Sequence, residues 1–162
     1  MPIYYFGTKE AMLVAALETQ RPDISAVFAG VADAAALRDR LYAFCMSNQA
    51  GANSTSVKVL LQVLGAACVP GSPYAEYAND AIATFVKALA AALARLESVD
   101  DPEVVATLLI SGLRGIIQDR IITGHAERTD RAAKRLIHMA VPDGPLSAQR
   151  TGHRGGRAAS SA

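Results

Sequence analysis

The chain lacks tryptophan and has only two cysteines, Cys45 and Cys68, among its 162 residues. The two are not spaced as a Cys-x-x-Cys pair, and each lies within an apolar segment. Isolated cysteines in a reducing cytosol behave as small apolar side chains. We therefore expect both to be buried, and neither to form a disulfide or to bind a metal.

The chain also lacks an excess of charge, because 16 basic residues are matched by 15 acidic ones. A net charge of +1 generates no overall field that would attract nucleic acid or an anionic membrane. The longest uncharged stretches, around 41–57 and 59–75, are interrupted by Asn, Gly, Ser or Pro, so no transmembrane helix is expected. No basic region followed by an apolar run opens the chain, which predicts a cytoplasmic protein without a signal peptide.

Catalytic motifs are missing as well. The sequence contains no Gly-x-Ser-x-Gly, no phosphate-binding glycine loop and no His-Glu-x-x-His. Its three histidines, His125, His138 and His153, are far from one another and from the cysteines. We therefore expect no enzyme, no metal site and no cofactor.

The residues that are present favour an all-α fold, since alanine and leucine outnumber the β-branched residues. The first helix is predicted from Thr8 as N-cap to Arg21, before Pro22. After a connector with a helical turn, Asp33 is expected to cap a second helix that ends near Gln49. The next helix begins at Ser54 or Ser56, after a loop over 50–54, and ends near Cys68. Its predicted buried face comprises Val57, Leu60, Leu61 and Leu64.

Two pairs of a capping residue and a proline predict the starts of the two longest helices. Ser72-Pro73 opens a helix that continues to about Glu97, and Asp101-Pro102 opens one that Gly124 ends. A last helix is predicted over 126–141. Its basic residues have two interpretations, nucleic-acid contact or a solvated face at the rim of an interface, and the lack of interleaved aromatic residues favours the second. They are Arg128, Arg131, Lys134 and Arg135.

The helix that begins at Pro102 carries apolar residues on more than one of its sides. We therefore expect its own core to bury one side and a partner subunit to bury another. Gly112 and Gly115 each cost about 1 kcal/mol relative to alanine in a helix interior, which predicts close approach of another backbone. The sequence thus predicts a homodimer. Its expected interface residues are Leu108, Gly112, Gly115, Ile116, Leu136 and Ile137.

The opening residues, Ile3-Tyr4-Tyr5-Phe6-Gly7-Thr8-Lys9-Glu10-Ala11-Met12-Leu13, resemble the hinge of tetracycline-repressor (TetR) family transcription regulators. In that family an aromatic run ends the recognition helix, and Lys-Glu starts the fourth helix. The resemblance implies DNA-phosphate contacts from Tyr4 or Tyr5 and from Lys9, at a helix start suited to binding phosphate. Since the first two helices and most of the recognition helix have no counterpart here, the chain as printed is not expected to read DNA sequence.

The segments from Gly112 to Gly115 and from Ile122 to Gly124 are similar to the closing helices of the same family, which form a four-helix bundle between two subunits. The resemblance implies three regions. Residues 1–7 are a remnant of the helix-turn-helix head, 8–141 form a helical ligand-sensing and dimerisation domain, and 142–162 are a disordered tail.

The resemblance further implies a ligand-responsive repressor whose partners are a second subunit, a small apolar ligand and, only with the missing head, DNA. The expected pocket residues are Phe44, Leu61, Leu64, Tyr77, Phe85 and Leu113, with Gln62 or Gln118 as polar anchor. Two alternatives remain. One is a ligand-binding or dimerisation module that acts without binding DNA itself, and the other is a purely structural helical dimer without a pocket.

Overall fold

A computed structural model describes residues 8–19, 21–47 and 51–143, and all regular secondary structure within them is helical. The fold class is therefore all-α, as expected. Residues 1–7 and the tail beyond Asp143, for which a head remnant and disorder are predicted, lie outside the described residues. The helices are α1 (Lys9–Thr19), α2 (Ile24–Val27), α3 (Ala34–Ser47), α4 (Gly51–Ala67), α5 (Ala75–Leu93), α6 (Pro102–Thr123) and α7 (Ala126–Ala140).

Side-chain caps fix the starts of α3 and α6. The Asp33 carboxylate accepts a hydrogen bond from the Ala36 amide at 2.8 Å, and that of Asp101 accepts one from the Val104 amide at 3.2 Å. Each bond satisfies an amide of the first turn that has no partner within the helix. Both predicted caps are confirmed, and Pro102 follows the second of them at the start of α6.

Two predicted helix starts are wrong. Helix α4 already begins at Gly51, because a glycine in the first turn interrupts no internal hydrogen bond. Helix α5 begins at Ala75, after Tyr74, so Pro73 precedes the helix instead of opening it. The Ser72 hydroxyl accepts from the Tyr74 amide at 3.3 Å and stabilises a turn before the helix.

Helix α5 also ends at Leu93, before the predicted Glu97. The chain leaves the helix there and buries Leu96 and Ser98 in the connection to α6. Arg95 donates from Nη2 to the Phe28 carbonyl at 3.3 Å, which ties this connection to the segment after α2. Tertiary burial of the connection has overridden a sequence that is locally suited to a longer helix.

The main core is formed by α2, α3, α5, α6 and α7, with α6 packed between α5 and α7. Its large, fully buried side chains are Leu37, Leu41, Leu89, Leu93, Leu109, Ile137 and Val141. A second group, here called the small cluster, buries Leu17, Val63 and Tyr77 between α1, α4 and the start of α5.

The predicted buried face of α4 is correct at Leu60, which packs against the small cluster, but it misses Val63. Val63 is the residue that α4 buries, at 2% exposure, whereas Val57, Leu60, Leu61 and Leu64 are half-buried. The helices against which α4 packs determine which of its residues is buried. Helix α4 packs in the small cluster against α1 and α5, and none of its described side chains, over 54–67, belongs to the main core.

The turn between α6 and α7 depends on Gly124, whose φ of 70° lies in the left-handed region. Its amide donates to the Arg120 carbonyl at 2.9 Å, and Arg120 also pairs with Asp130 across the turn. The predicted helix end at Gly124 is confirmed, and the α6–α7 hairpin is held by its backbone and by an ion pair.

Gly124→Ala is expected to destabilise the fold by about 1–2 kcal/mol, the cost of a left-handed conformation for an L-residue. The added Cβ would meet no atom within 4 Å, so the expected cost comes from the backbone conformation alone. Gly65→Ala is the matched control, since Gly65 has equally open space in an ordinary helical conformation, and that change should stabilise by about 1 kcal/mol. Urea unfolding of both variants tests this, and changes of the same sign would contradict it.

Candidate ligand pocket, subunit interface and N-terminal helix

Three of the predicted pocket residues, Phe44, Phe85 and Leu113, belong to the main core. The ring of Phe85 lies edge-to-face against Phe44, with centroids 5.4 Å apart, and against Phe28, with centroids 6.0 Å apart. Leu113 is buried in the same core. This is an apolar, aromatic environment of the kind that small apolar ligands occupy. Phe28 is the member of this group that the sequence reasoning missed.

The other predicted pocket residues lie elsewhere. Tyr77 belongs to the small cluster, where burial raises the pKa of its phenol and the nearby Arg21 opposes that rise. Leu61 and Leu64 are half-buried on α4. Gln62 and Gln118 are exposed, so in this conformation neither amide is enclosed with the aromatic group around Phe85. The eight residues therefore do not converge on one cavity.

A groove of about 460 Å³ lies between α5 and α6 on the surface. Its charged residues, Lys87 and Glu103, come from opposite walls, and neither forms an ion pair in the described part of the chain. None of the predicted pocket residues lines it. The lining consists of Asn79, Ile82, Ala83, Val86, Lys87, Ala90, Glu103 and Thr107.

Helix α6 exposes an apolar side to solvent. Val104, Leu108 and Ile122 are 53%, 58% and 73% exposed. Gly115 lies on the same side by helical spacing, and an added Cβ there would meet no atom within 4 Å. We call these four residues the exposed apolar face. Met139 of α7 is 66% exposed and extends the apolar surface of the hairpin.

The remaining predicted interface residues face inward. A Cβ on Gly112 would come 2.5 Å from Cδ2 of Leu136, so this glycine makes room for α7 of the same chain. Ile116 and Leu136 are partly buried against the main core, and Ile137 is 2% exposed. Of the predicted interface set, the protomer presents Leu108 and Gly115 openly to a partner. The close approach expected at Gly112 is thus made within the subunit.

The start of α1 has the predicted N-cap. The Thr8 hydroxyl accepts a hydrogen bond from the Ala11 amide at 3.1 Å, and Lys9 is exposed beside it. Tyr4 and Tyr5, the other predicted phosphate contacts, lie outside the described residues. The described part of this corner is a capped helix start with one exposed cation, an arrangement that suits phosphate.

Three of the four basic residues named on α7, Arg128, Arg131 and Lys134, have partners within the described part of the chain. Arg128 pairs with Asp119 of α6 at 2.8 Å and thereby lowers the pKa of that carboxyl group. Arg131 lies 3.9 Å from Glu127, and the Lys134 ammonium lies 4.9 Å from the centre of the Tyr42 ring. These contacts agree with a solvated face that carries local ion pairs.

The cysteine expectation is half correct. Cys45 is buried in the main core, but Cys68 is exposed, because it follows the last residue of α4 and lies beyond the small cluster. Within 8–19, 21–47 and 51–143, no three His, Cys, Asp or Glu side chains are grouped to hold a metal ion. None of the helices in those ranges has the length and apolarity required to cross a membrane.

Comparison of the chain with protein-family models, with curated proteins and with solved structures gives no significant match. Functional assignment therefore depends on the residues of this chain and on where they lie.

Proposed function

We propose that this chain is the sensor and dimerisation part of a ligand-responsive transcription regulator of the TetR type. The observation that carries the proposal is the hinge-like sequence from Ile3 to Leu13. Its described part supports the proposal, since Thr8 caps a helix that begins at Lys9. In the proposed regulator, α1 connects a DNA-binding head to the helical body.

The exposed apolar face supports homodimerisation. Exposed Val, Leu and Ile side chains aligned along one helix lose contact with water when a second copy covers them, and each buried CH₂ group contributes about 0.8 kcal/mol. Gly115 provides a position on that face where a partner helix can approach closely. Two copies of the α6–α7 hairpin would then form a four-helix bundle.

The aromatic group of Phe28, Phe44 and Phe85 supports a small apolar ligand as effector. Such a ligand regulates by binding one dimer geometry more tightly than another. Each tenfold difference in affinity between the two geometries shifts their balance by about 1.4 kcal/mol. The regulator is released from DNA when, in the dimer geometry that the ligand favours, its two DNA-binding heads no longer match the two half-sites.

Gly115→Leu is expected to convert a dimer of twice 17.0 kDa into monomer or aggregate without loss of helix content. The protomer has open space at this position, and leucine is the better helix former, so the protomer itself should tolerate the change. Gly65→Leu is the control, because Gly65 has the same open space on α4, away from the face. Light scattering measures the mass of each variant in solution, and circular dichroism measures its helix content.

A dimer of Gly115→Leu with unchanged stability would place the interface elsewhere. A monomeric wild-type protein at high micromolar concentration would contradict the dimer proposal as a whole. Loss of the dimer in both leucine variants would indicate a general effect of surface leucine instead of a specific contact at Gly115.

The regulator proposal is tested with the protein isolated from its own host. A species heavier than 17.0 kDa that carries a helix-turn-helix ahead of residue 1, and that retains specific DNA fragments until an apolar ligand is added, is the expected result. A species of 17.0 kDa that retains no DNA would contradict it and would favour a module that acts through a partner subunit.

A further inference from the structure

Arg21, which follows α1, joins that helix to α5. Its Nη2 donates to Oε1 of Glu18 at 2.9 Å, and its Nη1 donates to Oδ2 of Asp80 at 2.5 Å. The guanidinium carbon also lies 5.1 Å from the centre of the Tyr77 ring, within the range of a cation–π contact. One side chain therefore contacts both the end of α1 and the first half of α5.

The Arg21 side chain lies mostly out of water. The side chain is 22% exposed, and its Nε is buried without a hydrogen-bond partner among the described residues. The hydrogen bond to Asp80 is the largest of the effects that raise the pKa of the guanidinium, so the group stays charged. A planar guanidinium can satisfy two carboxylates and lie over a ring at once, which a lysine ammonium cannot do equally well.

Among the described residues, the packing of α1 is otherwise limited. Of its residues, Leu17 is the one that is buried, and Leu13 and Val14 pack against the small cluster. No described side chain of α1 or α4 belongs to the main core. Elements with few buried apolar contacts open at a lower free energy than the protein as a whole.

We propose that α1 opens and closes as a unit on the small cluster while the main core stays folded, and that the Arg21 contact with Asp80 and Tyr77 holds it closed. The proposal goes beyond the regulator function, because it needs neither DNA nor a ligand. Opening releases the helix that begins at Lys9 from α5 and uncovers Tyr77. The position of α1 then depends on a single arginine and a small apolar contact.

Hydrogen exchange of the intact protein, followed by mass spectrometry, tests this. We expect amides of α1 to exchange faster than those around Leu109 in the main core. Asp80→Asn should speed exchange in α1 by about two- to fivefold, the range for loss of a partly exposed ion pair, and leave the amides near Leu109 unchanged. Glu76→Gln is the matched control, since Glu76 is exposed one turn earlier on α5 and makes no ion pair within the described residues.

A double-mutant cycle assigns the effect to Arg21. Asp80→Asn should have no further effect on α1 exchange in the Arg21→Gln background, because the pair has already been lost. Added salt should speed α1 exchange in the wild type more than in Asp80→Asn. Exchange in α1 that matches the amides near Leu109 would show that α1 does not open separately. Equal effects of Asp80→Asn and Glu76→Gln would show that Arg21 does not hold it.

Discussion

Leu109→Ala is expected to lower the free energy of unfolding by about 2–5 kcal/mol, as for other fully buried leucines. Leu109 of α6 is 0% exposed, because the helices that pack on either side of α6 in the main core enclose it. Truncation removes apolar contacts and leaves a cavity that the surrounding helices fill incompletely. Urea unfolding monitored by circular dichroism gives the free energy directly.

Leu108→Ala is the matched control, because Leu108 is the neighbouring residue of the same type and is 58% exposed. At a concentration where the protein is monomeric, we expect it to cost less than about 1 kcal/mol, as is usual for exposed positions. At higher concentration it should weaken self-association. Equal losses for the two variants in the monomer would contradict the orientation of α6.

Phe85→Ala is expected to lower the free energy of unfolding by somewhat less than the about 3–5 kcal/mol of a fully buried phenylalanine, because the half-buried ring still contacts both Phe28 and Phe44. Each edge-to-face contact contributes about 0.5–1.5 kcal/mol beyond the burial of area. Phe85→Leu keeps most of the volume and should cost clearly less. Thermal unfolding of the wild type, Phe85→Ala and Phe85→Leu measures the order of their stabilities.

The same variant probes the predicted pocket. Removal of the half-buried ring leaves apolar space beside Phe28 and Phe44, and enclosed apolar space of this kind binds benzene. Benzene should therefore raise the Tm of Phe85→Ala and leave that of Phe85→Leu nearly unchanged, because binding to the folded state stabilises it. An alanine variant with near wild-type stability and no response to benzene would show that Phe85 does not pack against the core as described.

Helix starts and ends with a local chemical signal were predictable. Asp33, Asp101 and Gly124 act through bonds or dihedral angles within a few residues of themselves, so their effect is visible in the sequence. The α5 boundaries were not predictable in the same way. The helix ends at Leu93 because the connection buries Leu96 against distant segments.

The candidate sites, too, were predictable from the sequence only in part. Apolar spacing identified Leu108 and Gly115 on one side of α6, but it also assigned Ile137 and Gly112 to a partner, because periodicity does not say which surface covers a residue. Gly112 approaches Leu136 of its own chain. Only the packing of α6 against α7 distinguishes the internal contact from the exposed one.

Composition and local motifs were enough to predict that the chain is helical and where several of its helices are capped. Those properties depend on side chains and dihedral angles within one or two turns. Three features became visible only in the packed helices: the core divides in two, α4 buries Val63, and Arg21 contacts Asp80 across 59 positions of sequence. Contacts between distant residues depend on how whole helices pack, which local periodicity does not encode.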